Sequence, residues 1–338
     1  MSDRSDMYGA RYDRLSICGP SDRGDAFEQP SKFDRRGESD FSFTVDAAEE
    51  GKLLQRVLQS RFRFSRRFLR RLKQTGAVTV NGDIVYFTSR VRTGDVVRVR
   101  MPADDVPHLP PEPVPLDILH EDSDILVLNK QGGVVVHPTK NYAHGTLANG
   151  VVAHWQARGE NRLVRPVNRL DKQTTGVLVV AKHAYAHDFI AKQLHTKASE
   201  REYRALVLGL VAEGSGTVSL PLARSTENLS RRIVAADGKR AVTHYDVLAR
   251  FPRDGATYVA LRLETGRTHQ IRVHMQALGH PLIGDAMYGD ESENRRLIIP
   301  RQALHAVSLR FTHPRTRIPV QFSAPLPPDM RHLLDSLS

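Results

Sequence analysis

Hydrophobic residues follow two different spacings between residues 41 and 101. Over 53–58 they recur at helical intervals, and a second helix is predicted to begin after Ser65, a good N-cap, and to end near Gly76. Alternating valines at 78–80 then lead into Asn81-Gly82, a tight-turn signal between strands. This pattern predicts a small α/β module over 41–101.

From residue 116 onward the pattern is rich in short β-type runs. Helical spacing occurs only at about 146–157, 184–196 and 267–278, so consecutive strands often lack a helix between them. The pattern predicts an α+β domain over 116–328, with flanking helices around a mixed, largely antiparallel central sheet. The predicted strands cover 118–120, 125–128, 134–136, 177–180, 203–208, 242–248, 258–263 and 307–311.

The remaining segments predict boundaries. Residues 1–40 are polar and of mixed charge with almost no apolar periodicity, which is typical of a disordered tail. Six prolines fall within 102–115, which predicts an extended, semi-rigid linker that holds the module at a distance from the larger domain. Residues 329–338 are predicted to form a C-terminal tail.

Composition excludes several classes of protein. No apolar run approaches the roughly 18 residues that a membrane span needs, and the charged N-terminus is unlike a secretory signal. The single cysteine, Cys18, excludes an intrachain disulfide and suits a cytoplasmic location. Phosphate-binding glycine loops and a serine-hydrolase elbow are missing, and His269, His274 and His280 lack zinc-type spacing. We therefore expect neither a cofactor nor a metal.

The net charge of +11 is concentrated in one place. Residues 41–100 contain 13 Lys and Arg against five Asp and Glu, and seven of the basic residues lie between Arg61 and Lys73. Such a face is either a solvated helix surface or a phosphate-binding surface, and the lack of nearby acids favours phosphate. The candidate RNA-binding residues are Arg66, Arg67, Arg70, Arg71 and Lys73.

The same segment resembles the small RNA-binding domain named for ribosomal small-subunit protein four. The resemblance is carried by 53–58, by Ser-Arg-Arg-Phe-Leu-Arg-Arg-Leu at 65–72 and by Gly-Ala-Val-Thr-Val-Asn-Gly at 76–82. It covers about fifty residues and implies that RNA is the polyanionic partner.

Three segments of the larger domain are dense in groups that could do chemistry. Arg-Leu-Asp at 169–171 and Thr-Thr-Gly at 174–176 lie between apolar runs, and by itself Asp171 there is typical of a turn. Arg165, Arg169 and Lys172 surround it in sequence and would keep its carboxylate ionised. The other two segments are Arg-Glu-Tyr-Arg at 201–204 and Gly-Arg-Thr-His-Gln-Ile-Arg at 266–272.

Together these segments resemble the RluA family of RNA pseudouridine synthases, in particular its RluC- and RluD-like members. Val-Val-Val-His-Pro at 134–138, Leu-Gly-His-Pro-Leu-Ile-Gly-Asp at 278–285 and Ala-Leu-His-Ala at 303–306 extend the match across 41–328 in the family's order. Two positions depart from the family pattern. Asn168 replaces the usual histidine before Arg-Leu-Asp, and Gln131 replaces the proline of the usual Lys-Pro.

The resemblance implies roles for individual residues. Asp171 would attack the ribose or remove a proton from it, Arg272 would keep Asp171 charged, and Tyr203 would pack on the target base or remove its C5 proton. Arg169 would fill the space left by a uridine that has turned out of its helix. Substrate contacts are further expected from Arg267, His269, Gln270 and Leu304.

Three functions therefore stay open on the sequence. The first is a monomeric RNA pseudouridine synthase acting on structured RNA, with large-subunit ribosomal RNA favoured over transfer RNA. The second is a non-catalytic RNA chaperone that keeps the fold, to which only Asn168 points. The third is a nucleoside-bond hydrolase, which would need a second acid to activate water.

Overall fold

The computed structural model describes residues 41–101, 109–139, 142–196, 198–289, 297 and 299–338. The predicted tail over 1–40 and the first half of the proline-rich segment, 102–108, lie outside the described residues. No helix in the described stretches is long and apolar enough to cross a bilayer.

The N-terminal module is a four-stranded antiparallel sheet with two helices on it. The strand order is β1-β4-β2-β3. The elements are β1 (Phe41–Thr44), a short 3-10 helix (Ala47–Glu49), α1 (Leu54–Phe62), α2 (Arg66–Gln74), β2 (Val78–Val80), β3 (Asp83–Ile84) and β4 (Val96–Val99).

The predicted helix signals of this module are confirmed by local geometry. The hydroxyl of Ser65 accepts a hydrogen bond from the Phe68 backbone N–H at 3.2 Å, which caps α2. Gly76 follows the helix with φ of +61°, and Asn81 and Gly82 both have positive φ in the turn from β2 to β3.

The larger domain is built on a ten-stranded sheet. Its main path runs β10-β13-β14-β9-β15-β8-β6-β5, with β16 beside β15 and β7 beside β8, and all pairs are antiparallel except β15 with β8. The predicted mixed, largely antiparallel sheet is thus confirmed. Its strands are β5 (Ile118–Glu121), β6 (Ile125–Lys130), β7 (Arg165–Pro166), β8 (Thr175–Ala181), β9 (Glu200–Leu208), β10 (Ser215–Ser219), β13 (Val242–Phe251), β14 (Ala256–Leu263), β15 (Leu304–Thr312) and β16 (Pro319–Ser323). A separate hairpin pairs β11 (Leu222–Arg224) with β12 (Arg232–Val234).

The central strands are apolar on both faces because both faces are covered. Alternate residues of β6 enter different clusters: Leu126 and Leu128 join one core, and Ile125 and Val127 join the other. The helices are α3 (Leu147–Gln156), α4 (Ala184–Leu194), α5 (Gln270–Ala277) and α6 (Pro328–Ser336). Helices α3 and α5 contribute to the first core, and α4 contributes to the second.

Two segments differ from the prediction. Residues 134–136 form no strand, because their backbone carbonyls accept hydrogen bonds from the first turn of α3 instead of pairing in a sheet. Residues 329–338, predicted as a tail, lie largely in α6. Met330 and Leu333 of this helix are buried, and Asp329 forms a bidentate pair with Arg301.

The N-terminal module contacts the larger domain directly, so the structure does not show the predicted separation of the two by the proline-rich linker. Tyr185 of α4 packs within the module's core, with its ring 4.8 Å from that of Phe64 and 5.5 Å from that of Phe41. Its hydroxyl accepts a hydrogen bond from Arg317 at 2.6 Å, and Arg317 also donates to the Arg61 carbonyl. The module and the large domain therefore share buried surface.

Candidate active site

Three segments that are far apart in sequence meet on one side of the central sheet. Asp171 lies in the loop between β7 and β8, Tyr203 lies on β9, and Arg272 lies in the first turn of α5. Strand β15 runs between β8 and β9, which places Leu304 in the same region. The fold thus assembles the three predicted catalytic residues and one predicted substrate contact.

An ion pair joins the first and third segments. Arg272 Nη1 donates to Asp171 Oδ2 at 3.2 Å, across 101 residues of sequence. The rest of the guanidinium is bound to Asp285, with Nε donating at 2.6 Å and Nη2 at 2.8 Å. Burial by itself would lower the pKa of Arg272, but its hydrogen bonds and charge interactions with Asp285 and Asp171 raise it. The arginine is therefore a fixed cation beside Asp171.

Asp285 was missed by the sequence analysis as a functional residue. It is fully buried, and besides Arg272 it accepts hydrogen bonds from the backbone N–H groups of Met287 and Tyr288. Its role is to hold the guanidinium in one orientation. The available signal was its place at the end of the family-like segment 278–285.

Two basic residues that are close to Asp171 in sequence, Arg169 and Lys172, contact other groups. Arg169 is exposed and donates to the Thr268 hydroxyl at 3.3 Å, which ties the Arg-Leu-Asp loop to the Gly266–Arg272 segment. Lys172 lies over the ring of Tyr142 at 4.5 Å. Among the described residues, Arg272 forms an ion pair with Asp171, and His269 Nε2 lies 3.8 Å from the same carboxylate.

His269 is held beside Asp171 by an unusual backbone. Its φ is +59°, a left-handed conformation that non-glycine residues seldom adopt, and it immediately precedes α5. Its Nδ1 is 2.9 Å from the Tyr288 hydroxyl. Burial lowers the pKa of His269 although the charge of Asp171 opposes the fall, so the imidazole is neutral at pH 7.

Apolar side chains form the floor of the site. Leu170, Tyr203 and Leu304 are all buried in the core that lies on this face of the sheet. Burial raises the pKa of the Tyr203 phenol, and the negative charge of Asp171 raises it further. The phenol therefore stays protonated, which suits packing against a base better than removal of a proton.

Two buried cations fix the loop that carries Asp171. Lys130 Nζ donates to the carbonyls of Lys172 and Thr174, each at 2.9 Å, and Arg301 Nη1 donates to the carbonyl of Gln173 at 3.2 Å. The three successive backbone carbonyls that follow Asp171 thus each accept a hydrogen bond from a buried basic side chain. Burial lowers the pKa of Lys130 to about 7, against the opposing charge of Asp171. In the sequence, Lys130 and Arg301 are isolated basic residues whose burial no local pattern indicates.

Lys130→Met is expected to destabilise the protein by about 3 kcal/mol, because buried carbonyls without a donor cost ~1–3 kcal/mol each. We also expect slower turnover, since the Asp171 loop loses its anchor. Urea unfolding and single-turnover rates measure the two effects. The matched control is Lys192→Met, which removes an exposed lysine paired with Asp188. Equal effects of the two substitutions would contradict the anchoring role.

Glycine is required at the end of the Thr-Thr-Gly motif. Gly176 has φ of +110°, and a Cβ there would collide with the Ala306 carbonyl oxygen. The missing side chain lets β8 and β15 approach where Thr175 and Gly176 pair with His305 and Ala306. The glycine of the motif is therefore required for close packing of β8 against β15, which brings the Asp171 loop next to Leu304.

Both departures from the family pattern have structural explanations. The Asn168 amide bridges to β8, with Nδ2 donating to the Val177 carbonyl at 3.1 Å and Oδ1 accepting from the Val179 N–H at 2.8 Å. Gln131 Nε2 donates to the Pro115 carbonyl at 3.1 Å. Asn168 thus stabilises the loop that leads to Asp171, and Gln131 ties that region to the end of the proline-rich segment.

The remaining predicted contacts divide into two kinds. Arg267 is exposed, with Nε donating to the Arg240 carbonyl at 3.1 Å, so its outer edge faces solvent. Gln270 is buried and uses its amide internally. Its Oε1 accepts from the Arg267 N–H and the Thr265 hydroxyl, and its Nε2 donates to the Val242 carbonyl and the Thr243 hydroxyl. Gln270 therefore braces the turn before α5, contrary to the expectation of a substrate contact.

Comparison with known proteins identifies the family of the larger domain. The family described as RNA pseudouridylate synthase matches residues 124–277. The uncharacterized RNA pseudouridine synthase YlyB of Bacillus subtilis (strain 168) is 44% identical over 277 residues, which are 81% of this chain and 90% of that protein. Ribosomal large subunit pseudouridine synthase D of Vibrio vulnificus (strain CMCP6) is 40% identical over 306 residues, 87% of this chain and 93% of that protein.

A solved structure has the same fold. Human RNA Pseudouridylate Synthase Domain Containing 1 superimposes with a TM-score of 0.54 at 29% identity, covering 66% of this chain and 89% of that one. Extensive identity to relatives over most of their length and this shared architecture show the family of the chain. The chain belongs to the RNA pseudouridine synthase family and is an isomerase of uridine in RNA.

Proposed function

We propose that this enzyme isomerises uridines of structured large-subunit ribosomal RNA, with Asp171 as its essential catalytic group. The observation that carries the proposal is the Asp171–Arg272 ion pair above the floor of Tyr203 and Leu304. Relatives about 40% identical over most of the chain are named ribosomal large subunit pseudouridine synthase D, which favours ribosomal RNA over transfer RNA. We further place the enzyme in the cytoplasm as a monomer.

The reaction moves one bond and needs no redox step. The C1′–N1 bond of uridine breaks, the base turns, and a C1′–C5 bond forms, while C5 loses a proton and N1 gains one. An anionic oxygen beside the ribose starts this sequence, either by attack on the sugar or by removal of a sugar proton. Asp171 supplies that oxygen, and the guanidinium of Arg272 holds the carboxylate in place through a hydrogen bond of 3.2 Å.

The other site residues hold the substrate. A uridine must leave its helix to reach Asp171, and the exposed guanidinium of Arg169 is placed to fill the vacancy and stack on neighbouring bases. Tyr203, kept protonated by burial, packs against the turning base. Arg267 contacts the RNA backbone, and the neutral imidazole of His269 lies within reach of the ribose.

The hydrolase alternative requires a second acid that can activate water. Among the described residues, the other carboxylate that Arg272 binds is Asp285, which is fully buried and held by that guanidinium on both oxygens. It cannot activate water while held in this way. The chaperone alternative depended on Asn168, and Asn168 has a structural role in the loop.

The N-terminal module, in this proposal, is an RNA-binding domain of the ribosomal protein four type. Its support is the exposed face of α2, where Arg66, Arg67, Arg70 and Lys73 form no ion pair with any described residue. Arg71 lies half-buried beside them. Cations without local partners are suited to phosphate groups.

Mapping of pseudouridine in total RNA tests the proposed substrate. We expect cells that lack this protein to lose one or a few pseudouridines from large-subunit ribosomal RNA and to regain them when the wild-type gene is restored. An unchanged ribosomal RNA together with a lost transfer-RNA modification would overturn the assignment to ribosomal RNA. The gene carrying Asp171→Asn serves as the matched control for catalysis.

A further inference from the structure

A groove on the N-terminal module lies between its two helices. It has a volume of about 470 Å³, and its polar lining comes from both helices and the segment after β3. Helix α1 contributes two amides and helix α2 contributes three cations, while no acidic residue lines it. The residues that matter here are Gln55, Gln59, Arg66, Arg70, Lys73 and Tyr86.

One wall of this groove is an exposed aromatic ring. Tyr86 is 78% exposed, and Ile84 nearby is 73% exposed. Tyr86 and Ile84 together line a second, more apolar groove of about 300 Å³ that passes Gly76. Tyr86 therefore lies where a cationic groove meets a more apolar one. A ring this exposed contributes little to the module's core, so folding does not account for it.

We infer that Tyr86 is a stacking platform for one unpaired RNA base, whose flanking phosphates bind to Arg66, Arg70 and Lys73. This inference rests on the proposed RNA-binding function of the module and adds a substrate class to it. The module would select RNA with a bulged or single-stranded nucleotide next to a helix, and would do so at a distinct surface from the Asp171 site.

The chemistry of the lining matches such a nucleotide better than a plain duplex. Base faces are hidden in a continuous helix, whereas an unpaired base can stack on an aromatic side chain. Gln55 and Gln59, one helical turn apart on α1, offer amide donors and acceptors for the edge of that base. The cations at 66, 70 and 73 follow one face of α2, along which a backbone can run.

Two hairpin RNAs with the same stem test the inference, one fully paired and one with a single bulged 2-aminopurine. In the full-length protein, Tyr86→Ala is expected to weaken binding of the bulged hairpin by about 5- to 150-fold, the range for loss of one stacked base. Binding of the paired hairpin should be unchanged. Tyr86→Phe should bind both as wild type, and 2-aminopurine fluorescence should be quenched by wild type and Tyr86→Phe only.

Equal affinities of Tyr86→Ala and wild type for the bulged hairpin would overturn the inference, as would an equal loss on both hairpins. A triple variant, Arg66→Ser with Arg70→Ser and Lys73→Ser, tests the RNA binding of the module, on which the inference rests. It should weaken both hairpins and reduce the slope of log affinity against log salt by roughly 2–3. An unchanged slope would refute RNA binding by the module itself, whatever the result for Tyr86.

Discussion

Asp171→Asn is expected to abolish pseudouridine formation, by at least about 10³-fold or ~4 kcal/mol of transition-state stabilisation, and to leave RNA binding intact. The amide has nearly the same shape as the carboxylate but can neither attack the ribose nor accept its proton. The fold should tolerate the change, because Arg272 keeps its two hydrogen bonds to Asp285. The loss is therefore chemical and not structural.

Single-turnover assays at saturating RNA measure this effect separately from affinity. The matched control is Asp246→Asn, which makes the same chemical change in an exposed pair with Arg262. The control should isomerise RNA at the wild-type rate. If Asp171→Asn retained activity within about tenfold of wild type, a barrier change of only ~1.4 kcal/mol, the catalytic assignment would be wrong.

Local signals were sufficient for most of the helices and strands. The helices over 147–156 and 184–194 lie where hydrophobic spacing predicts them, and Ser65 caps its helix as expected. The ion pair between Asp171 and Arg272 was predicted only through the family resemblance, because no local pattern relates residues 101 positions apart.

The supporting residues could not be predicted in the same way. Lys130 and Arg301 are buried, and a single basic residue at the end of a strand or in a loop is most often exposed. Their function follows from the carbonyls of the Asp171 loop that they bind, which are contacts made only in the folded chain. Gln270 shows the reverse case, a motif residue whose polar groups are used inside the protein.

No sequence pattern predicted the contact between the two domains. The proline content predicted a spacer, and nothing in the sequence around Tyr185 distinguishes it from other aromatic residues in helices. In the structure its ring joins Phe41 and Phe64 in one buried cluster. Removing residues 1–101 would uncover this ring, so point substitutions in the full-length chain are the sounder test of the basic face.

Arg272→Leu is expected to damage catalysis far more than Arg267→Leu, although the two arginines are five residues apart. Arg272 lies between Asp171 and the fully buried Asp285. Its removal takes away the cation that both carboxylates share, so Asp171 loses the hydrogen bond that orients it and Asp285 is left buried without its ion-pair partner. A buried pair that loses one partner typically costs about 3–5 kcal/mol of stability, so this variant should also unfold more easily.

A more conservative substitution separates the catalytic loss from the structural one. Arg272→Lys keeps a positive charge near Asp285, but an ammonium cannot donate in the fork geometry that engages both carboxylates. We expect it to be more stable than Arg272→Leu in urea unfolding and still slow in single turnover. Rates are compared after correction for the folded fraction, which urea unfolding supplies.

Arg267→Leu should behave differently because the Arg267 side chain is exposed and donates to the Arg240 carbonyl, away from the two carboxylates. A surface substitution of this kind usually changes stability by no more than ~0.5 kcal/mol. The loss of one backbone contact should weaken RNA affinity, while saturating RNA restores the single-turnover rate. If Arg267→Leu were the slower enzyme at saturating RNA, the roles assigned to the two arginines would have to be exchanged.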